Sequence, residues 1–585
     1  VNVEAVVERV WEAPLTTSTW NVSTSGDWSD ASDWSGGVPN SSTATATIAE
    51  SGTYTVDIAA SESFTAGSVT LNAANATLEI DGTLTLGSML TLTAGTLDLT
   101  GTINGGTINT GTTAINSFGG TLNATTIDGP LTLGGSSSLT ITGGLTMNGA
   151  DGSGSGTLND TGNDNTVYFS GTETINNAAI NIGYDDSVAV SNGGVITLSS
   201  TTTTSEAGQY DNILFGRTVG SGSIINDGTI DATETGAMFF VELAGFTNGG
   251  TINAAGGSFQ IQSNSFSNSG AIAVTSGDVL QVQATSFANT GTVSVDGTST
   301  IQFVSSVATA ELGTLDTASG ATIDFSGSLN NEGAIYVMPA GVNVFGIIDG
   351  GTIEGPITAE GSSQSPDGLT LEGSPTLEGA GGTGAATINV IGSLLFSGTE
   401  TIGNASINLG GTIANSGTGI VTFGPNVTID YSGGFLGLTN IDQSPASGIV
   451  NEGTVDSTTS HAALTIDPVN FTNGGTVTVS NSGYVQIGLG PSTTSFDNTG
   501  TISVDGTSTL NFVSSVTTSE LGTLDLASGA LLEFGEGLFN SGGLNNSGAT
   551  YSVPTGVLLA GAIEGGTLDG TIDAASSLQL SCCRF

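Results

Sequence analysis

The sequence predicts an all-β chain folded as a parallel β-helix, a β-solenoid of about 20–22 residues per coil. Three observations predict it: a short word repeated at coil length, strand-type alternation throughout, and a longer duplication that contains the short repeat. The word is Asn-x-Gly-x-Ile/Val. It occurs in IINDGTI from Ile224, FTNGGTI from Phe246, FSNSGAI from Phe266 and FANTGTV from Phe287, at steps of 22, 20 and 21 residues. That period is too short for a domain and too regular for a linker. Between the words, apolar residues alternate with Thr and Ser, as in Thr83-Leu84-Thr85-Leu86 and Leu97-Asp98-Leu99. Period-two alternation broken by Gly describes short strands with one buried face. At ~4.8 Å per layer, about 25 coils would stack.

The longer repeat sets the organisation. Asp128-Gly129-Pro130 returns as Glu354-Gly355-Pro356, FSGTETI from Phe169 returns from Phe396, and FTNGGT from Phe246 returns from Phe471. These offsets are 226, 227 and 225; then SVDGTST (Ser294, Ser503) and ELGTLD (Glu311, Glu520) return at 209. The fall in offset reads as one whole coil lost, with a small loop at Gly490-Pro491 left behind. A solenoid tolerates that loss because each coil touches only its neighbours, whereas losing one strand residue would turn a buried face outward. Five segments are expected: a Trp-rich cap over 1–45, first coils over 46–127, two long repeats over 128–353 and 354–563, and a truncated third repeat over 564–585. Its tail, Cys582-Cys583-Arg584-Phe585, changes composition abruptly. Adjacent cysteines rarely bridge.

Composition limits function. The chain has 585 residues, 52 acidic but only 3 basic, all Arg (Arg9, Arg217, Arg584), for a net charge of −49. Charged residues make up 9%, against roughly 25% in an ordinary chain. The acidity therefore reflects missing lysine rather than an acid-coated surface. Nucleic-acid binding is excluded as a role, since phosphate contacts need Lys or Arg. No apolar run has the ~20 residues of a transmembrane helix.

Each repeated residue has an expected structural task. Asn226, Asn248, Asn268 and Asn289 should stack as a ladder of side-chain amides. The Gly two residues later should serve the same corner, where Asn tolerates left-handed backbone and Gly favours it. Phe246, Phe266 and Phe287 should form an inward stack. All four tryptophans lie near the start, and Trp20, Trp28 and Trp34 should cover the first coils as a cap; a carbohydrate-stacking surface is the alternative.

The pattern over residues 50–575 resembles the passenger regions of bacterial autotransporters and filamentous-haemagglutinin-like adhesins. The start is similar to the openings of bacterial exported repeat proteins, W-x-x-x-x-G-x-W-x-x-x-x-N-W. Here Trp20 begins that run, Asp33 stands at the Asn position, and the spacing is slightly longer. The resemblance implies a right-handed β-helix, export, and a place outside the cell or at the bacterial cell surface. In such families a translocator barrel follows; its strands do not occur in this sequence, so truncation or another export route is expected.

Chemistry is sparse. A lyase of this shape would need Arg or Lys near Ca²⁺, and a hydrolase paired carboxylates. Asp185-Asp186 is the best adjacent pair, but strand neighbours point to opposite faces, so only a turn could bring them together. His461 stands alone, without the partners of a zinc site or triad. The loop Asn159–Asn165 gathers oxygen ligands, with Asp160 and Asp164 as candidate Ca²⁺ ligands. It lacks EF-hand spacing, and a plain Asn/Asp/Gly turn is the competing reading. No other cofactor is expected. Thr-x-Thr runs such as Thr83-x-Thr85 raise ice binding, but the motif does not keep one position over many coils.

The expected function is a secreted or surface-anchored structural rod, non-catalytic, with an adhesive or matrix role towards surface glycans or other cells. A carbohydrate-active β-helix enzyme and a self-assembling fibre subunit are the alternatives.

Overall fold

A computed structural model describes residues 16–111, 113, 115–207, 212–216, 222–360, 368–415, 418–431, 439–441, 448–461, 463–488, 495–535, 542–575 and 577–584. Trp11, Arg9, Arg217 and the Gly490-Pro491 loop lie outside these residues. The chain is a β-solenoid of about 21 turns. That is fewer than the 25 a uniform period implies, because some coils are longer: Leu198 pairs with Asn226, a step of 28 residues. Two compact units divide it, one of residues 1–295 with 313–316, the other of 296–312 with 317–585.

In the first unit the coils after residue 237 are the most regular. Strands Met238–Asn248, Ser258–Asn268 and Val279–Asn289 stack in parallel, so Phe246, Phe266 and Phe287 fall in register. Strands Thr251–Ala254, Ala271–Val274 and Thr292–Val295 form a second parallel stack across the corner. Phe239, Val241 and Leu243 point inward by alternation. The alternation then slips at Ala244–Gly245, and Phe246 and Asn248 point inward again. That slip is the bend by which one long strand lines two sides of the core. Phe246 and Phe266 stack with ring centres 5.4 Å apart, and Phe266 and Phe287 at 5.5 Å. Burying each ring contributes about 1.5–3 kcal/mol.

The corner glycines differ from expectation. In the four words from Ile224 to Val293, neither the Asn nor the Gly two residues later has positive φ, although the Gly of the same word does at Gly106 (φ 68°) and Gly333 (φ 70°). The Gly is required instead by close approach between layers. A Cβ on Gly250 would collide with the Gly228 carbonyl oxygen, one on Gly270 with that of Gly250, and one on Gly291 with that of Gly270.

The second unit repeats these devices. Phe471 pairs with Phe496, so the 25-residue step between them is one coil. Phe496, Phe512 and Phe534 continue an inward aromatic series at 5.2 and 5.9 Å. One turn of helix, Thr309–Leu312, interrupts the strands, with Glu311 Oε2 accepting from Ala308 N at 2.8 Å. Glu520 accepts from Thr517 N at 2.7 Å in the later copy of the same words.

Candidate functional site

The Asn ladder is continuous. Asn226 Nδ2 donates to Asn248 Oδ1 at 2.8 Å, Asn248 to Asn268 at 2.7 Å, and Asn268 to Asn289 at 2.8 Å. Asn289 ends it on the Thr314 carbonyl at 3.2 Å. All four side chains are buried. A second ladder, Asn451–Asn473–Asn498, has bonds of 2.8 Å in the second unit. Every amide in these ladders serves the layer above or below, so neither presents a binding face.

Trp20, Trp28 and Trp34 are also buried. Their rings meet edge to face, Trp20–Trp34 at 5.2 Å and Trp28–Trp34 at 4.8 Å, and Trp28 lies 6.2 Å from Phe64. Trp28 Nε1 donates to Pro39 O and Trp34 Nε1 to Trp28 O. The strand before Trp20 pairs with Ser41–Ile48. Rings packed this way offer no open face for a sugar.

Two glutamates carry a device that the duplicated word FSGTETI could have revealed. Glu173 accepts from Gly143 N at 2.9 Å, and Glu400 accepts from Gly373 N at 3.2 Å and Ser374 Oγ at 2.9 Å. Glu173 ties the register break inside strand Ser138–Asn148, and Glu400 the bend after strand Leu369–Glu372, to a strand of the following coil. Their recurrence at one place in both copies marks them as structural.

Asp160 and Asp164 differ in burial. Asp164 is exposed in left-handed backbone, φ 60°. Asp160, the last residue of strand Gly156–Asp160, is fully buried, and its carboxylate interacts with Asp186 of the next coil. Burial, then repulsion from Asp186, push Asp160 up to about 8. Burial likewise lifts Asp186 to about 6 and Glu206, one coil further on, to about 7. Asp185 is exposed at φ 53° while Asp186 is buried, so that pair diverges. His461 is exposed in a turn, with Ser460 Oγ 2.7 Å from Nδ1. Cys582 and Cys583 are free thiols. Among the described residues, no three His, Cys, Asp or Glu side chains converge as a metal centre.

One threonine position is more regular than the sequence suggests. In the first unit Thr203, Thr229, Thr251, Ala271 and Thr292 occupy one outward column. The next outward column holds Ser205, Asp231, Asn253, Ala273 and Ser294, which breaks any Thr-x-Thr array.

A groove of about 440 Å³ lies on the outer surface of the second unit, lined by Thr322, Asp324, Ser326, Phe345, Thr370 and Leu395 among others. Alternation along Thr322–Asn330 turns Thr322, Asp324 and Ser326 outward while Ile323 and Phe325 fill the core. Asn343–Asp349 stacks on that strand and sets Phe345 beside Asp324. Gly346 follows with φ 85° and passes so close to the Phe325 carbonyl that a Cβ would collide. Register then shifts, with Leu329 opposite Ile348, and the strand's two halves pair onward with Ile357–Ala359 and Leu369–Glu372. The hollow opens at this break. Asp324 is held by two bonds, from Ser326 Oγ at 2.7 Å and Gln302 Nε2 at 2.8 Å.

The later copy keeps the backbone and changes the side chains. Gly561 has φ 84° and crowds the Phe534 carbonyl as Gly346 crowds that of Phe325. Ala560 stands where Phe345 does, and Glu533 where Asp324 does. The bulge and a carboxylate beside it are thus properties of the repeat, whereas the aromatic at Phe345 belongs to one copy.

No protein-family model and no curated protein sequence matches this chain. Fold and side-chain stacks together define it as a β-solenoid repeat protein. No helix among the described residues is long and apolar enough to cross a membrane.

Proposed function

We propose that this chain is a non-catalytic structural solenoid of the extracellular space or bacterial cell surface, with an adhesive or matrix role towards glycans. The observation that carries it is the lateral groove. Its Phe345 lies in register with Asp324, which Gln302 and Ser326 orient. A half-exposed ring beside fixed polar groups suits the apolar face and hydroxyl rim of a sugar, and its size lies within the range of small-ligand sites. Repeated weak contacts along stacked polar strands would add avidity. Autotransporter-like export is part of this proposal and rests on sequence pattern.

Binding to an array of acidic and neutral polysaccharides tests it. Phe345→Ala and Asp324→Ala should each weaken binding at least several-fold while leaving the melting temperature nearly unchanged. Equal binding by wild type and both variants would refute the groove's role. Release of new reducing ends from any polysaccharide would replace the adhesive reading with the enzymatic one.

A further inference from the structure

Three consecutive coils of the first unit turn one corner with the same four-residue device, although the three share only one letter. They are Gly134–Ser137, Gly162–Asn165 and Gly183–Asp186. In each, the third residue is left-handed: Ser136 at φ 57°, Asp164 at 60° and Asp185 at 53°. The fourth folds its side chain back over the leading Gly. A Cβ on Gly134 would come 3.8 Å from Ser137 Oγ, one on Gly183 2.8 Å from Asp186 Oδ2, and one on Gly162 would collide with Asn165 Nδ2. The corners are tied in series. Ser137 N donates to Asn165 Oδ1 at 2.7 Å, and Asn165 N to Asp186 Oδ1 at 2.8 Å.

Those bonds use one oxygen of Asn165 and one of Asp186. Ser137 Oγ, Asn165 Nδ2, Asp186 Oδ2 and both carboxylate oxygens of Asp160 are buried without a hydrogen-bond partner. Ser137 is 2% exposed, and Asp160, Asn165 and Asp186 are 0% exposed. The Asn165 amide lies near the Asp160 carboxylate and favours its charged form, but outside hydrogen-bond geometry. A Cβ on Gly183 would contact both Asp186 Oδ2 and, at 3.3 Å, the Asp160 carbonyl oxygen. Buried polar atoms are nearly always satisfied, and a group left orphaned points to a water or an ion.

Two adjacent buried carboxylates need a counter-charge or must give up ionisation. The chain has no Lys, and the sole Arg among the described residues, Arg584, belongs to the second unit. We propose that this corner binds one Ca²⁺ between the carboxylates of Asp160 and Asp186. Two carboxylates match its charge. Ca²⁺ accepts 6–8 oxygens in irregular geometry, so hydroxyl, backbone carbonyl and water can complete the shell where only two carboxylates are present. This site differs from a loop site at Asp160 and Asp164, because Asp164 faces solvent.

Melting curves and Tb³⁺ luminescence on the whole chain test it, with Tyr184 beside the corner as sensitiser. Wild type and Asp164→Asn should melt several degrees higher in Ca²⁺ than in chelator, and both should sensitise Tb³⁺ in a Ca²⁺-competed manner. Asp160→Asn and Asp186→Asn should each lose the Ca²⁺ shift and the Tb³⁺ signal. If one fails to fold, the other still reports. Equal wild-type melting in Ca²⁺ and chelator with no Ca²⁺-competed Tb³⁺ signal would overturn the proposal and leave protons or water as the neutralising species. Loss of the signal in Asp164→Asn but not in Asp160→Asn would overturn it in favour of the exposed loop.

Discussion

Asn248 donates its side-chain amide to Asn268 across 2.7 Å, with both side chains buried between two layers of the solenoid. The bond joins residues 20 apart in sequence at the same place in successive coils. A lone buried Asn would cost stability; in a column each Nδ2 finds an acceptor and each Oδ1 after the first rung a donor, leaving only Asn226 Oδ1 and Asn451 Oδ1 without one.

Removing one rung tests that dependence. Asn268→Ala leaves Asn248 Nδ2 without its amide acceptor and Asn289 Oδ1 without its donor. Each buried group left unmade costs about 1–3 kcal/mol. Urea unfolding should show a loss of a few kcal/mol, well above that of Ser267→Ala on the exposed neighbour.

Glycine at the corner should resist substitution for steric reasons. Gly270→Ala drives a methyl into the Gly250 carbonyl and should destabilise strongly. Gly403, without positive φ and with open space around its Cβ position, should accept Ala at no loss. Thermal melts of both variants give the comparison. A neutral Gly270→Ala would show that the layers are further apart than described.

Trp28→Ala should cost roughly 3–5 kcal/mol, the usual range for truncating a large buried aromatic. It removes contacts to Trp34 and Phe64 and the bond to Pro39 O. Truncating a ring that served as a surface sugar platform would change stability little, so denaturant unfolding separates the two roles.

Stability should fall as pH rises from mildly acidic to mildly alkaline when chelator is present. Asp160, Glu206 and Asp186 are raised to about 8, 7 and 6 by burial, while unfolded carboxyls titrate near pH 4. Across that window the folded chain holds more protons than the unfolded chain, which lowers the unfolding free energy as pH increases. Asp505 works in the opposite sense at lower pH. Against the pull of burial, bonds from Ser508, Thr507 and Asn481 hold it at about 2, so its contribution is lost as pH falls from about 4 to 2. Melting temperature should therefore peak near pH 4–5, and Asp160→Asn should flatten the alkaline decline. A melting temperature that climbs from pH 5 to 8 in chelator would contradict this.

The sequence by itself determined the solenoid, its coil length and the columns that recur in every layer. A residue needed in each coil writes itself into the chain at the coil's period, so Asn226 to Asn289 and Phe246 to Phe287 can be read without coordinates. The same regularity misled on Gly250, Gly270 and Gly291, because a repeated Gly looks the same whether φ or a neighbouring layer demands it. Tertiary structure alone decided the rest. Asp160 and Asp186 lie 26 residues apart, one ending a strand and the other closing a corner, and Phe345 comes beside Asp324 only through the registered strands of successive coils. Groups that occur once leave no period, and their meeting depends on register, which stacking sets.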